Sequence, residues 1–242
     1  MQSLPLSQVS NSNKISAVVN IQPAISMMEC RIPFSTIDKL NNYIDKTRDV
    51  AESHASSLVG QINQRQESSQ LSINQEDEVP KAFIKTLEKL ASSYITTMGY
   101  KRHNINCDDI WTVHSYAGDY NPLHNHRVKT KIGLSCILYL KLSDEMIKNK
   151  QQNNVSFENA SGMADGYTFF NWGTAGTTDI DMMKYNTETY IKPEVGKLLL
   201  FPHWLKHSVN PFFGEGERRT LAANFNVETN EKITQHIYQI KL

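Results

Sequence analysis

The chain has 242 residues, 25 Lys plus Arg against 25 Asp plus Glu, and an apolar fraction of 39%, so its formal net charge is zero. That length suits one large domain with helical additions. The charge balance argues against a broad nucleic-acid footprint, and no apolar run reaches the roughly 18 residues of a membrane span. Cys30, Cys107 and Cys136 stand apart with no CxxC pair. This predicts free buried thiols in a reducing cytoplasm, not a disulfide framework.

Residues 1–16, rich in Ser and Asn, read as a flexible N-terminus without the basic and apolar regions of a signal peptide; 17–242 read as a single domain. The stretch 18–33 is strand-like. Ile37, Leu40, Tyr43 and Ile44 recur at helical spacing, which predicts an amphipathic helix over 35–50. Residues 52–79 are polar and read as a surface excursion. Pro80 fits the first turn of a second helix, whose apolar stripe (Phe83, Ile84, Leu87, Leu90, Tyr94, Met98) runs to about Gly99. From Ile110 onward the pattern changes to short β-type runs: 110–115, 133–142, 167–172, 188–191, 197–201 and 220–227. Strands after helices predict a mainly β fold, a sandwich or barrel core over 110–228 with 17–109 as its helical support. Loops are expected over 148–165 and 173–186, and an edge strand or short helix over 232–242.

His124 and His126 lie two apart after the turn-forming run 117–122. In extended chain, residues two apart share a face, so both imidazoles can reach one ion; Fe(II), Zn, Cu and Ni all accept imidazole. Alone, the pair could equally be two exposed loop histidines. His207, just past the apolar run 197–201, supplies the third ligand that a barrel needs to clamp a metal from two strands while leaving positions open. His203 reads as structural or surface-exposed, and His103, His114 and His236 show no partner pattern. After His207, Arg218, Thr220, Ala222, Asn224 and Asn226 share one strand face, and Arg219, Leu221, Ala223, Phe225 and Val227 the other. Arg218 could grip a carboxylate with its planar fork and Thr220 could add a hydroxyl bond; the alternative is that Arg218 and Arg219 form a solvated pair after a Gly turn. Tyr139 could donate to the same anion or serve the core. Asn121, Tyr116 and Asn224 are expected to line the pocket, with Trp111 and Trp204 packing.

GDYNPLHNH (118–126), SCILYL (135–140), GKLLLFPHWLKHSVNP (196–211) and ERRTLAANFN (217–226), together with Trp111, resemble the 2-oxoglutarate and iron(II)-dependent oxygenases, in particular a phage and bacterial group related to prolyl hydroxylases. The resemblance spans about 27–227 and is most specific at GKLLLFP-W-x-x-H. It implies a double-stranded β-helix (a jelly roll, cupin-like), Fe(II), and 2-oxoglutarate chelating the iron. By position, His124 and His207 match the two metal histidines, Arg218 with Thr220 resembles the pair that binds the distal carboxylate of 2-oxoglutarate, and Tyr139 matches a tyrosine that bonds the same group. The implied activity is hydroxylation of a protein side chain of prolyl type, or of a small molecule.

One position departs from the family. Where a carboxylate is usual, this chain has His126. Three neutral imidazoles leave the site at the charge of the ion itself, which a dianionic cosubstrate can offset. A three-histidine site also resembles thiol dioxygenases, which use no 2-oxoglutarate. Asp119 is a distant candidate for a substitute carboxylate. Three readings therefore stand: a 2-oxoglutarate-dependent dioxygenase, a cupin-like three-histidine dioxygenase without the cosubstrate, and a non-catalytic barrel serving binding or structure, for instance in a phage particle.

Overall fold

A computed structural model describes residues 16–22, 25–53, 69–148, 164–174 and 186–231. In chain order the elements are β1 (Ser16–Gln22), β2 (Ile25–Arg31), α1 (Phe34–Thr47), β3 (Gln70–Ser72), α2 (Glu78–Thr97), β4 (Asn104–Ser115), β5 (Asn121–His124), β6 (Ile132–Lys141), α3 (Asp144–Lys148), β7 (Thr168–Asn171), β8 (Glu188–Ile191), β9 (Lys197–Pro202), β10 (Lys206–Val209) and β11 (Arg218–Glu228). They form two antiparallel sheets: a large one in the order β1-β2-β9-β6-β11-β4-β3, and a small one in the order β5-β10-β7-β8.

β11 explains the layering. Its even face turns toward a cavity. Its odd face, Leu221, Ala223, Phe225 and Val227, joins a core with Ile37, Leu40 and Ile44 of α1 and Phe83, Leu87 and Ala91 of α2. The helices cover this face because their apolar stripes have nowhere else to be buried. A second core, with Ile137, Tyr139, Phe170, Leu199, Phe201 and Leu205, lies between the sheets behind the cavity. The large sheet is therefore buried on both sides where β6, β9 and β11 run; β6 and β9 read as nearly continuous apolar runs, while β11 alternates a polar cavity face with an apolar helix face.

The fold is mainly β with flanking helices, as expected, and both long helices form close to their predicted limits. Several elements differ. The run 18–33 is a hairpin of β1 and β2, not one strand. β4 starts at Asn104, six residues early, because the polar stretch there pairs with the end of β11. β5 and β10 escaped the pattern because four residues, one of them Pro122, carry too little alternation. The expected excursion at 52–79 contains β3 and a bridge from Ser53 to Leu71. Most of both expected loops, the segment 232–242, and residues 1–15 lie outside the described residues.

Candidate active site: three imidazoles and a buried guanidinium

The two strands missed from pattern carry the metal candidates. β5 ends at His124, β10 holds His207, and the two residues are direct partners across the ladder. His126 follows β5 and its backbone is anchored by His203: its N–H donates to the His203 carbonyl at 3.0 Å, and the His203 ring donates from Nδ1 to the His126 carbonyl at 3.1 Å. One ligand atom from each of His124, His126 and His207 lies within 4.8 Å of the others. Ring centroids are 4.3 Å apart for His124 and His207, 4.9 Å for His126 and His207, and 5.4 Å for His124 and His126.

The tautomers are set by the neighbours. Nδ1 of His124 donates to the Pro122 carbonyl (2.7 Å), Nδ1 of His207 to the Leu205 carbonyl (3.1 Å), and Nδ1 of His126 to Oδ1 of Asn224 (2.9 Å). Each ring thus keeps its Nε2 lone pair for the shared centre, the arrangement that metal-bound imidazoles need. Burial pushes all three pKa values down, that of His126 to about 4 and that of His207 well below 6.5, the latter helped by His124 and His126. At neutral pH the rings are uncharged ligands. This donor set fits Fe(II) or another imidazole-accepting divalent ion.

A cavity of about 570 Å³ opens from these rings and is walled by β4, β5, β10 and the even face of β11. Along β11, Arg218, Thr220, Ala222 and Asn224 all line it, as their alternation predicts. Arg218 is 2% exposed. Its Nε donates to the Gly166 carbonyl (3.2 Å), its guanidinium carbon lies 5.3 Å over the Tyr139 ring, and its Nη2 is buried without a partner among the described residues. Burial pushes its pKa down, with Tyr139 opposing. Among the described residues no bond joins it to a carboxylate, so the cavity presents a desolvated cation with a free donor. That is the chemistry of a carboxylate site. Gly166 suits this place because its φ is +67°, a conformation that residues with a side chain rarely adopt.

The other expected residues are placed as follows. Thr220 lines the cavity beside Arg218. Tyr139 is fully buried, and its hydroxyl is 2.6 Å from Thr168 Oγ1. Asn121 lines the cavity with a buried Oδ1 that has no partner. Asn224 faces the cavity, but its Oδ1 already accepts from both His126 and Ser135, the latter at 2.7 Å. Trp111 packs against His126 with centroids 5.6 Å apart, and Trp204 is exposed. Tyr116 does not line the cavity: its hydroxyl accepts from Arg48 at 3.2 Å, because the turn after β4 directs it toward α1. Asp119 is no ligand either. Its carboxylate caps that turn by accepting from the Tyr116 N–H (2.7 Å).

Sequence reasoning also passed over His114, which is fully buried and donates from Nδ1 to Glu217 at 2.6 Å. In sequence, Glu217 looks like part of a solvated charge run. Its burial follows only from the packing of β4, β6 and α1 around the start of β11.

The profile of a family described as "Putative 2OG-Fe(II) oxygenase" matches residues 109–224, about half the chain, and every candidate metal or cosubstrate residue lies inside that segment. No curated protein sequence matches. Among solved structures, a prolyl-4-hydroxylase from Pseudomonas putida is similar at TM-score 0.52 and 14% identity, with 84% of this chain and 94% of that one covered. AviO1 from Streptomyces viridochromogenes Tue57 is similar at TM-score 0.50 and 12% identity, covering 79% and 84%. HygX from Streptomyces hygroscopicus, a structure with nickel and 2-oxoglutarate bound, gives TM-score 0.48 and 10% identity, covering 83% and 81%.

Proposed function

We propose the following division of labour for an Fe(II)- and 2-oxoglutarate-dependent dioxygenase, the family to which residues 109–224 belong. His124, His126 and His207 hold Fe(II) through Nε2. Arg218 receives the distal carboxylate of 2-oxoglutarate on its unpartnered Nη2, with the Thr220 hydroxyl beside it and Tyr139 beneath the guanidinium. Asn224 fixes the plane and tautomer of His126. Asn121 offers an amide at the cavity wall to the cosubstrate. When bound, iron and 2-oxoglutarate together activate dioxygen and drive substrate hydroxylation, with succinate and CO2 as coproducts. The protein's own part is to align the three rings, neutralise the cosubstrate and exclude water from the carboxylate end.

The observation that carries this reading is Arg218: a fully desolvated guanidinium with an unused donor, opening into the same cavity as three convergent imidazoles. A three-histidine dioxygenase without 2-oxoglutarate gives that cation nothing to do. We read the substrate as a protein side chain of prolyl type or a small molecule entering past Trp111 and Tyr120, which line the same cavity. We read 17–109 as the support region and 110–228 as the double-stranded β-helix of one domain. Among the described residues no helix is long and apolar enough to cross a membrane. Three free cysteines, two of them buried, support a reducing cytoplasm as the working compartment.

Anaerobic titration of 2-oxoglutarate into the iron-loaded protein tests the reading. The expected result is a visible charge-transfer band that saturates with 2-oxoglutarate and is lost in Arg218→Ala. No band, together with full activity of Arg218→Ala, would favour the three-histidine dioxygenase instead. Failure to hold any metal at neutral pH would favour the non-catalytic barrel.

A further inference from the structure

On the far side of β11 from the cavity lies a polar cluster, buried at Glu217, Arg219 and His114 and open to solvent at Lys141 and Asp45, that the reaction does not use. Glu217 is at its centre, 7% exposed. Its carboxylate accepts from His114 Nδ1 of β4 (2.6 Å), from Nε and Nη2 of Arg219 on β11 (both 3.1 Å) and from Lys141 Nζ of β6 (3.0 Å). Arg219 continues to α1, donating from Nη1 to Asn41 Oδ1 (3.1 Å) and from Nη2 to Asp45 Oδ1 (2.7 Å). His114 is itself held by Thr112, 2.9 Å from its Nε2. The cluster therefore ties β4, β6, β11 and α1 together at one level of the sheet. Two acids, Glu217 and Asp45, pair with two bases, Arg219 and Lys141, and burial keeps His114 low in pKa and hence neutral, with Arg219 and Arg48 acting the same way.

The residue between Glu217 and Arg219 is Arg218. Side chains alternate along a strand, so the bonds that fix Glu217 and Arg219 on one face fix the backbone from which Arg218 projects into the other. Arg218 has little else to steer it. Its polar contacts are the bond from Nε to the Gly166 carbonyl and the Tyr139 hydroxyl, and among the described residues its charge meets no carboxylate. The carboxylates of Glu217 and Asp45 are engaged by Arg219, Lys141 and His114, which leaves the guanidinium of Arg218 available to an anion.

We propose that Glu217, Arg219 and Asp45 are positioning residues for cosubstrate binding, setting where Arg218 presents its guanidinium. This rests on the reading of Arg218 as the carboxylate anchor. It also assigns a part in cosubstrate affinity to α1, which lies outside the segment that matches the family. Asp45 touches neither the cavity nor the metal residues.

The test measures dissociation constants for Fe(II) and, under argon, for 2-oxoglutarate with the iron-loaded full chain. Wild type is compared with Glu217→Gln, Glu217→Asp and Asp45→Asn. A misplaced anchor weakens its ligand steeply. Glu217→Gln is expected to bind 2-oxoglutarate about tenfold more weakly, with Asp45→Asn weakened less, Glu217→Asp regaining part of the loss, and Fe(II) affinity unchanged throughout. With a turnover substrate, KM for 2-oxoglutarate rises while kcat at saturation holds. If the glutamine variant does not fold, Asp45→Asn carries the test, since Asp45 is largely exposed. Unchanged 2-oxoglutarate affinity in the folded variants overturns the proposal, as does a parallel loss of iron and 2-oxoglutarate affinity, which would mark the cluster as support for the fold alone. A wild-type protein that binds iron but no 2-oxoglutarate overturns the functional reading and the proposal with it.

Discussion

Replacing Arg218 by methionine should separate stability from function. The guanidinium is withdrawn from water with one carbonyl and one aromatic face for company. Exchanging buried ionic groups for apolar ones of similar volume is often neutral or stabilising by about 1–4 kcal/mol. Against that stand the lost cation–π contact, about 0.5–2 kcal/mol, and the lost bond to Gly166, about 1 kcal/mol. These terms nearly cancel, so Arg218→Met should unfold at a urea concentration close to that of wild type. Cosubstrate binding behaves differently. A carboxylate on a guanidinium gains two charge-assisted bonds of about 1.5–3 kcal/mol each, or roughly 3–6 kcal/mol in all, which is about two to four orders of magnitude in dissociation constant. Urea unfolding of the metal-free protein and anaerobic 2-oxoglutarate titration of the iron form measure the two effects separately. A loss of stability near 3–5 kcal/mol, the cost of breaking a satisfied buried pair, combined with unaltered 2-oxoglutarate affinity, would show that Arg218 serves the fold and refute its assignment.

Other consequences follow from the same geometry. Asn224→Leu removes the acceptor that holds His126 Nδ1, and such outer partners typically matter by 10–100-fold in metal affinity; competition with a chelator of known affinity would read the loss. Metal should stabilise the native state by mass action. Free Fe(II) at about 100 times its dissociation constant adds about 2.7 kcal/mol, visible in anaerobic thermal melts as a Tm that falls on chelation. Stability should also fall with acid in two stages. Burial outweighs the Glu217 contact in lowering His114 from 6.5, so the unfolded chain binds the extra proton there and stability declines as pH drops below about 6.5. Burial would raise Glu217, but the bonds from His114, Arg219 and Lys141 prevail and hold it far below 4.5, so a second decline starts below about 4.5. Glu217→Gln should shrink that second stage, leaving the smaller part that Glu194 and Glu231 contribute, in a series of urea midpoints against pH.

The candidate site residues were easier to read in the sequence than the elements that carry them. β11 was legible because its alternation is strict: polar residues at 218, 220, 224 and 226 face one way and apolar residues at 221, 223, 225 and 227 the other. That regularity also decides between Arg218 and Arg219, sending the first to the cavity and the second to α1. β5 and β10 left no such trace. Four residues each cannot display a period, and their pairing is fixed by the ladder between His124 and His207, a long-range contact with no local signature. The Glu217 cluster was hidden for a different reason. Its members come from α1, β4, β6 and β11, and a run such as Glu215-Gly216-Glu217-Arg218-Arg219 has the composition of a solvated turn. Burial is a property of the assembled layers, and composition within a window does not carry it.

His126 is where the chain departs from the family pattern, and its surroundings argue that it ligates. A solvated loop histidine would be free to rotate. This ring is held by Asn224 at Nδ1, stacked near His124, packed on Trp111, and fixed at its backbone by His203. The bond at Nδ1 leaves Nε2 as its remaining donor atom, directed where His124 and His207 converge. Holding a side chain so closely costs about 1 kcal/mol or more of conformational freedom, which the native state recovers if the ring has a ligand to meet. His126→Ala should therefore lose iron far more severely than Trp111→Ala, which removes packing alone. His126→Asp should restore binding, because it supplies a carboxylate ligand where the resemblance to the wider family implies one. The aspartate also lowers the site's charge by one, weakening its pull on a dianion by about 3 kcal/mol per unit charge at 5 Å and an effective dielectric of 20. Iron retention in His126→Asp should then be accompanied by poorer 2-oxoglutarate affinity. Equal iron affinity in wild type and His126→Ala would reduce the centre to two histidines and remove the reason for both effects.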